Sequence, residues 1–202
     1  MHGYAIYEKS SFTDKEINIG LIGALMQDTG YQQTIDDTEG TGAKHTLIHV
    51  QRSIDFVQNL YKDDEYFSDS LMYFQDILNC TGLKEKVKEI EFARPVIRLL
   101  GLMLGTADLL GQMADRHYLE KLVFLFHEFK EAQINTFTSE LDLLKKTIDF
   151  YEMTKKRFAT DLGGVNRYMI FHFQKRWDID DDLYQTGIER NIRYLNIVLK
   201  SD

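Results

Sequence analysis

Two aspartates stand where an isolated charge would be unfavourable, which makes them the first residues of this 202-residue chain that could do chemistry. Asp28 ends an apolar segment, where a carboxylate would face the negative end of a helix dipole and gain from a nearby cation. Asp108 lies between two leucine-rich runs, so it must be paired, metal-bound or at the wall of a cavity. The plain alternatives are a solvated Asp28 and a structural ion pair at Asp108.

A pair of histidines forms the second feature with chemical potential. His45 and His49 are four residues apart in a predicted helix over 44–61, so the spacing predicts that both face one side. Two imidazoles there could converge on one metal ion or one phosphate. Lys44 and Arg52 would then place two cations beside an anionic substrate. The plain alternative is a pair of solvated surface histidines with a charged rim.

The elements that must position these residues read as helices. Thr13 and Glu16 form a capping box, and the helix that they open stops near Gly30. Residues 31–43 are polar and predict a loop. Apolar spacing predicts further helices over 44–61, 68–78, 84–92, 95–114, 118–131, 139–160, 166–177 and 182–199. Strict alternation is missing, so the sequence predicts one all-α domain of eight or nine helices over residues 1–202.

The segment 95–114 is apolar on nearly all sides, as in a helix buried at the centre of a domain. Pro95 suits its first turn. Gly101 and Gly105 are four residues apart, so a neighbouring helix could approach closely there. Asp108 and Gln112 share one face of this helix and predict a polar stripe within apolar surroundings.

Composition excludes several classes of function. Lys and Arg number 24 against 32 Asp and Glu, and a net charge of −8 disfavours binding to DNA or to an anionic membrane. The single cysteine, Cys80, excludes an internal disulfide and a zinc site of several thiolates, and fits a reducing compartment. Polar residues interrupt the most apolar stretch, and no targeting segment is recognisable. These features predict a soluble cytoplasmic protein.

Three segments resemble the HD superfamily of metal-dependent phosphohydrolases. Residues 23–31, Gly-Ala-Leu-Met-Gln-Asp-Thr-Gly-Tyr, resemble its apolar helix that ends in His-Asp, a small residue and Gly, with Gln27 in place of the His. Residues 105–110 look like the helix that carries the family's distant Asp, and residues 40–50 look like the region where some members supply further His ligands. The resemblance gives a motif-bearing core over about residues 2–115, and residues 116–202 share only helical character.

The resemblance also implies roles for individual residues. A divalent ion (Mg, Mn, Fe, Ni or Zn) would be held by ligands among His2, Asp28, His45, His49 and Asp108. Asp28 would be catalytic, and Gln27, Lys44 and Arg52 would contact the substrate, a nucleotide or another phosphorylated small molecule.

Two functions follow from this pattern. One is a phosphohydrolase, in which a bound metal lowers the pKa of the attacking water. The alternative is a degenerate HD-like domain that binds a ligand or a partner protein without turnover, because the amide of Gln27 is a weaker ligand than imidazole. The apolar C-terminal helix over 182–199 could serve a homodimer interface as well as a core.

Overall fold

A computed structural model describes residues 11–82 and 87–200 of the chain. Within these ranges there are eight α-helices and no β-strand, which confirms the predicted all-α fold. The helices are α1 (Asp14–Met26), α2 (His49–Tyr61), α3 (Leu71–Leu78), α4 (Pro95–Ala114), α5 (Tyr118–Glu131), α6 (Glu140–Thr160), α7 (Ile170–Trp177) and α8 (Leu183–Lys200). Short 3₁₀ turns lie at Thr29–Tyr31, Gly42–His45, Ser68–Ser70, Val87–Glu89 and Val165–Tyr168.

The capping box at the start of α1 is formed as predicted. The Glu16 amide donates to Thr13 Oγ1 at 3.3 Å, and the Thr13 amide donates to Glu16 Oε2 at 2.8 Å. The buried Glu16 carboxylate also pairs through Oε1 with Arg94 at 2.8 Å. Because Arg94 precedes the first residue of α4, this ion pair ties the start of α1 to the start of the central helix.

Helix α4 contributes to both apolar cores. Leu100 and Leu104 pack with α1, α2 and α3 in one core, while Leu102 and Leu109 pack with α5, α6 and α8 in the other. By length and composition α4 could cross a membrane, and 61% of its 18-residue window is buried within the protein. The cytoplasmic location and the absence of DNA and membrane partners remain predictions.

The chain that follows α3 packs closely against the two glycines of α4. A Cβ atom on Gly101 would lie 2.6 Å from Cys80 Sγ, and one on Gly105 would lie 2.4 Å from the carbonyl oxygen of Cys80. The predicted close approach is therefore confirmed, but the backbone that meets Gly105 is the turn after α3 and not a helix. It leaves Cys80 fully buried, and burial raises the pKa of its thiol to about 12.

The helix predicted over 84–92 is wrong for the residues described there. Val87–Glu89 form a single 3₁₀ turn, and the chain then runs without helix to Pro95. A proline disfavours the helical conformation in the residue before it, and Arg94 is extended with φ −148° and ψ 149°. Ile90 and Phe92 contact the core from this non-helical segment, which explains their apolar character.

Helix α8 combines core and surface residues. Ile188, Ile192 and Leu195 are buried, whereas Tyr194 and Ile197 are 61% and 58% exposed. Because Tyr194 and Ile197 are exposed, a homodimer interface on this side of α8 stays a prediction.

Candidate functional site

The turn after α1 holds Gln27 and Asp28 next to α2. The buried side chain of Ser53 donates to the carbonyl oxygen of Gln27 at 2.6 Å and accepts from the Gly30 amide at 2.8 Å. Gly30 is required here, since a Cβ atom would lie 1.9 Å from the carbonyl oxygen of His49. These contacts fix where the Gln27 side chain leaves the backbone.

Gln27 meets Asp108 across 81 residues of sequence. Its Nε2 donates to Asp108 Oδ1 at 3.3 Å, and Gln112 Nε2, one turn along α4, donates to the same oxygen at 2.8 Å. Burial raises the pKa of Asp108 and the charge of Asp28 raises it further, while the bonds from Gln112 and Gln27 and the charge of His49 oppose the rise. The two aspartates are therefore close enough to act on one another.

His49 faces the same region with a defined orientation. Its Nδ1 lies 2.7 Å from the carbonyl oxygen of Thr46, which can only accept, so Nδ1 donates and Nε2 is left for another partner. The ring stacks on Tyr31 with centroids 4.4 Å apart and an angle of 17° between the planes. Such a backbone contact is typical of histidines that bind metal through the other nitrogen.

Tyr31 shows that the charges around this region are negative. Burial raises the pKa of its hydroxyl, and the charges of Asp28, Glu128 and Asp108 raise it further, while a hydrogen bond with Thr46 opposes the rise. We call the group of Gln27, Asp28, Tyr31, His49, Asp108 and Gln112 the Asp108 site. Asp28 and Gln112 are exposed and the other four are partly buried, so the site opens to solvent past these two residues.

His45 does not share a helix with His49, so the single helix predicted over 44–61 is wrong at its start. A 3₁₀ turn ends at His45, where the Thr46 amide donates to the carbonyl of Ala43 at 2.9 Å, and α2 begins only at His49 after a non-helical Ile48. His45 Nε2 instead lies 3.1 Å from Asp37 Oδ2. The predicted convergence of two imidazoles from one helix face is therefore lost.

Lys44 and Arg52 bind acceptors of their own chain. Lys44 Nζ pairs with the Asp37 carboxylate and also donates to the carbonyl of Glu39. The hydrogen bond from Lys44 to Asp37 lowers the pKa of the Asp37 carboxyl. Arg52 donates from Nε to the Gly30 carbonyl and from Nη2 to the Gln32 carbonyl, each at 2.7 Å. Both cations stabilise the connection between α1 and α2, and their contact with a substrate remains a prediction.

The described part of the chain does not supply a full set of ligands for a metal ion. There, no group of three or more His, Cys, Asp or Glu side chains is arranged to hold one. His2 lies outside the described residues. Asp28, His49 and Asp108 alone therefore do not fit a metal ion, and the predicted divalent cofactor stays a prediction.

Ser53 and Tyr31 contact residues of the candidate site, and the sequence reasoning did not identify them. Ser53 is a fully buried serine on the apolar face of α2 that also carries Val50, Ile54 and Val57, and a polar residue in such a face is the signal that could have revealed it. Tyr31 follows a glycine in a polar stretch, and nothing local marks it as a partner of His49.

A family model described as Npun_R2479-like matches residues 23–165, more than two thirds of the chain. The match includes every described residue of the Asp108 site as well as His45, Lys44 and Arg52, and excludes His2. No curated protein and no solved structure matches the chain.

Proposed function

We propose that this chain, which belongs to the Npun_R2479-like family, is an HD-like helical domain that binds a small ligand at the Asp108 site without turning it over. One observation carries this proposal. Asp108 Oδ1 accepts hydrogen bonds from two glutamine amides, and one of them comes from Gln27, which stands where the resemblance expects a metal-binding histidine.

The amide nitrogens change what the Asp108 carboxylate can do. An N–H that donates to Oδ1 satisfies a lone pair that a metal ion would otherwise use, and an amide nitrogen is itself no metal ligand. The burial of Asp108 raises its pKa, which disfavours the ionised form that a metal requires. The arrangement therefore favours a hydrogen-bonding site over a hydrolytic metal centre.

The cations predicted to bind phosphate also support binding without turnover. Lys44 and Arg52 donate to Asp37 and to backbone carbonyls, and these contacts hold the loop and the turn in place. A phosphoester at the Asp108 site would meet Asp28 and Asp108 without these two side chains to neutralise it.

The metal-dependent phosphohydrolase acting on a nucleotide or related phosphoester is the second candidate, and His49 favours it. The Nδ1 contact with Thr46 leaves Nε2 free to bind a metal, beside two carboxylates that act on one another. A divalent ion would supply a water of lowered pKa, and it would need a further ligand from outside the described residues.

Metal content and phosphate release decide between the two candidates. The full chain is loaded in turn with Mg, Mn, Fe, Ni and Zn, its metal content is measured by mass spectrometry, and phosphate release is followed with a panel of nucleotides. We expect metal well below one ion per chain and no release above that of buffer. The matched variants are Asp108→Asn and Asp149→Asn, the latter removing an exposed carboxylate on α6. Phosphate release that Asp108→Asn abolishes and Asp149→Asn keeps would overturn the proposal in favour of the hydrolase.

A further inference from the structure

A surface pocket of about 430 Å³ lies where residues 87–94 meet the start of α4. This volume falls within the range of roughly 300–1,000 Å³ that is typical of pockets for small organic molecules. Its apolar wall is formed by Val87, Ile90, Phe92 and Pro95. Val87 is buried and Ile90 and Phe92 are half-buried against the core, so the packing of this segment also holds the wall in place.

The charged side chains that line the pocket are cations. Lys88, Arg94 and Arg98 line it, and no carboxylate of a described residue does so. The chain carries a net charge of −8, so this local excess of positive charge is not a consequence of its composition. We call the pocket formed by these three cations and the apolar wall the Arg98 pocket.

Two of the three cations have partners outside the pocket, and the third has none in the described ranges. Arg94 Nη1 pairs with the buried carboxylate of Glu16 at 2.8 Å, which fixes its guanidinium group. Lys88 Nζ pairs with Asp161 at 3.0 Å. Arg98 is exposed and forms no hydrogen bond or ion pair with a residue of 11–82 or 87–200. The whole guanidinium group of Arg98 is therefore available to an acceptor that enters the pocket.

The pocket combines two requirements in one ligand. A carboxylate or phosphate group accepts two parallel N–H bonds from a guanidinium group. The first turn of α4 has no side-chain cap, so the positive end of its dipole adds to the attraction for an anion. An apolar body joined to the anionic group would remove the exposed parts of Ile90 and Phe92 from solvent, which is favourable. A neutral molecule would lack the first contact, and an inorganic anion would lack the second.

We propose that the Arg98 pocket binds a small organic anion whose carboxylate or phosphate group accepts hydrogen bonds from Arg98 and Arg94. A flat apolar body attached to that group packs on Ile90 and Phe92. Arg98 and Asp108 lie on the same helix, roughly 15 Å apart along its axis at about 1.5 Å per residue. The pocket is therefore separate from the Asp108 site, and its ligand does not depend on the proposed function.

Titration calorimetry with the full chain tests this proposal. The probes are naphthoate and naphthyl phosphate, which join an anionic group to a flat apolar body. Naphthamide has the body without the charge, and acetate and inorganic phosphate have the charge without the body. We expect at least one of the two probes to bind about tenfold or more tightly than its controls, since only the probes make both contacts. Its affinity should fall as salt is added, because salt screens exposed charges.

Substitutions at Arg98 then locate the binding. Arg98→Gln removes the charge and should weaken the probe about tenfold or more, the size expected for a charge-assisted hydrogen bond. Arg98→Lys keeps the charge but loses the planar pair of donors, and should weaken the probe severalfold. The matched control is Arg116→Gln, which removes an exposed arginine just beyond the other end of α4 and should leave the affinity unchanged. Circular dichroism of each variant establishes that it is folded.

The outcomes that overturn the proposal are specific. Binding of neither probe overturns it, and so does naphthamide binding as tight as that of naphthoate. Probe binding that Arg98→Gln and Arg116→Gln weaken equally shows attraction to positive charge in general and overturns it as well. The variant Asp108→Asn should leave the affinity unchanged, and probe binding that changes with Asp108→Asn but not with Arg98→Gln would place the anion at the Asp108 site instead.

Discussion

Replacing Ser53 with alanine should destabilise the fold more than the loss of one small hydroxyl suggests. Ser53 Oγ serves two backbone groups at once, donating to the Gln27 carbonyl at 2.6 Å and accepting from the buried Gly30 amide at 2.8 Å. Ala at position 53 leaves both without this partner. Close packing of Gly30 against the His49 carbonyl blocks the turn from moving to find another.

The magnitude follows from the two groups. An unsatisfied buried amide costs about 2 kcal/mol, and the partly buried carbonyl of Gln27 adds about 1 kcal/mol. A loss of about 3 kcal/mol in a chain of this length corresponds to a melting temperature lower by about 6–12 °C.

Urea unfolding followed by circular dichroism measures this loss. The control is Ser68→Ala, which removes an exposed hydroxyl from the 3₁₀ turn before α3 and should change the free energy of unfolding by less than about 0.5 kcal/mol. A Ser53→Ala variant within about 1 kcal/mol of wild type would refute the view that this hydroxyl holds the turn.

Three further predictions concern the site. Gln27→His should raise the content of bound Mn or Ni, because it replaces an amide beside Asp108 with an imidazole. Mass spectrometry after identical loading of wild type and variant measures the metal content. A variant as empty as wild type would show that more than one ligand is missing. Arg52→Glu should lower the melting temperature, because it removes the donors to the Gly30 and Gln32 carbonyls. The shift that any nucleotide produces should be the same in both proteins, and a shift lost only in the variant would return Arg52 to the substrate site. The folded state raises the pKa of Asp108, so ionising this carboxyl opposes folding. The free energy of unfolding of wild type should therefore fall relative to that of Asp108→Asn as the pH rises from about 4 through the raised pKa. Urea unfolding at a series of pH values measures this, and parallel pH profiles of the two proteins would contradict it.

The parts of the fold predicted correctly depend on signals within a few residues. The capping box of Thr13 and Glu16 is local, and so is the boundary that Pro95 gives to α4. The apolar spacing over 95–114 and 118–131 reproduces the bounds of α4 and α5. These elements are determined by the periodicity of the sequence itself.

The errors have a different origin. Residues 87–92 have apolar positions that pack on the core without a helix, so burial alone produced the pattern that predicted one. The helix predicted to include His45 is also wrong, because hydrogen bonds from Thr46 to Ala43 close a 3₁₀ turn before α2 begins. Local spacing does not distinguish these turns from a helix.

The candidate site was predictable in its acidic members and not in their partners. Asp28 and Asp108 stand out because each charge lies in an apolar segment. The donors to Asp108 could not be assigned, because the contact with Gln27 spans 81 residues and depends on how α1 packs against α4. The role of Ser53 likewise depends on a turn that reaches it from 23 residues away.

The thiol of Cys80 is buried beside Gly101 and Gly105, so its chemical reactivity reports local opening of this part of the fold. Cys80 is the single cysteine, and its raised pKa keeps it in the unreactive form while it stays enclosed. An aromatic disulfide reagent therefore modifies one defined atom, and only in molecules where the segment after α3 has separated from α4. The labelling rate of wild type and of each variant above then reports how often this part of the core opens, without an added probe.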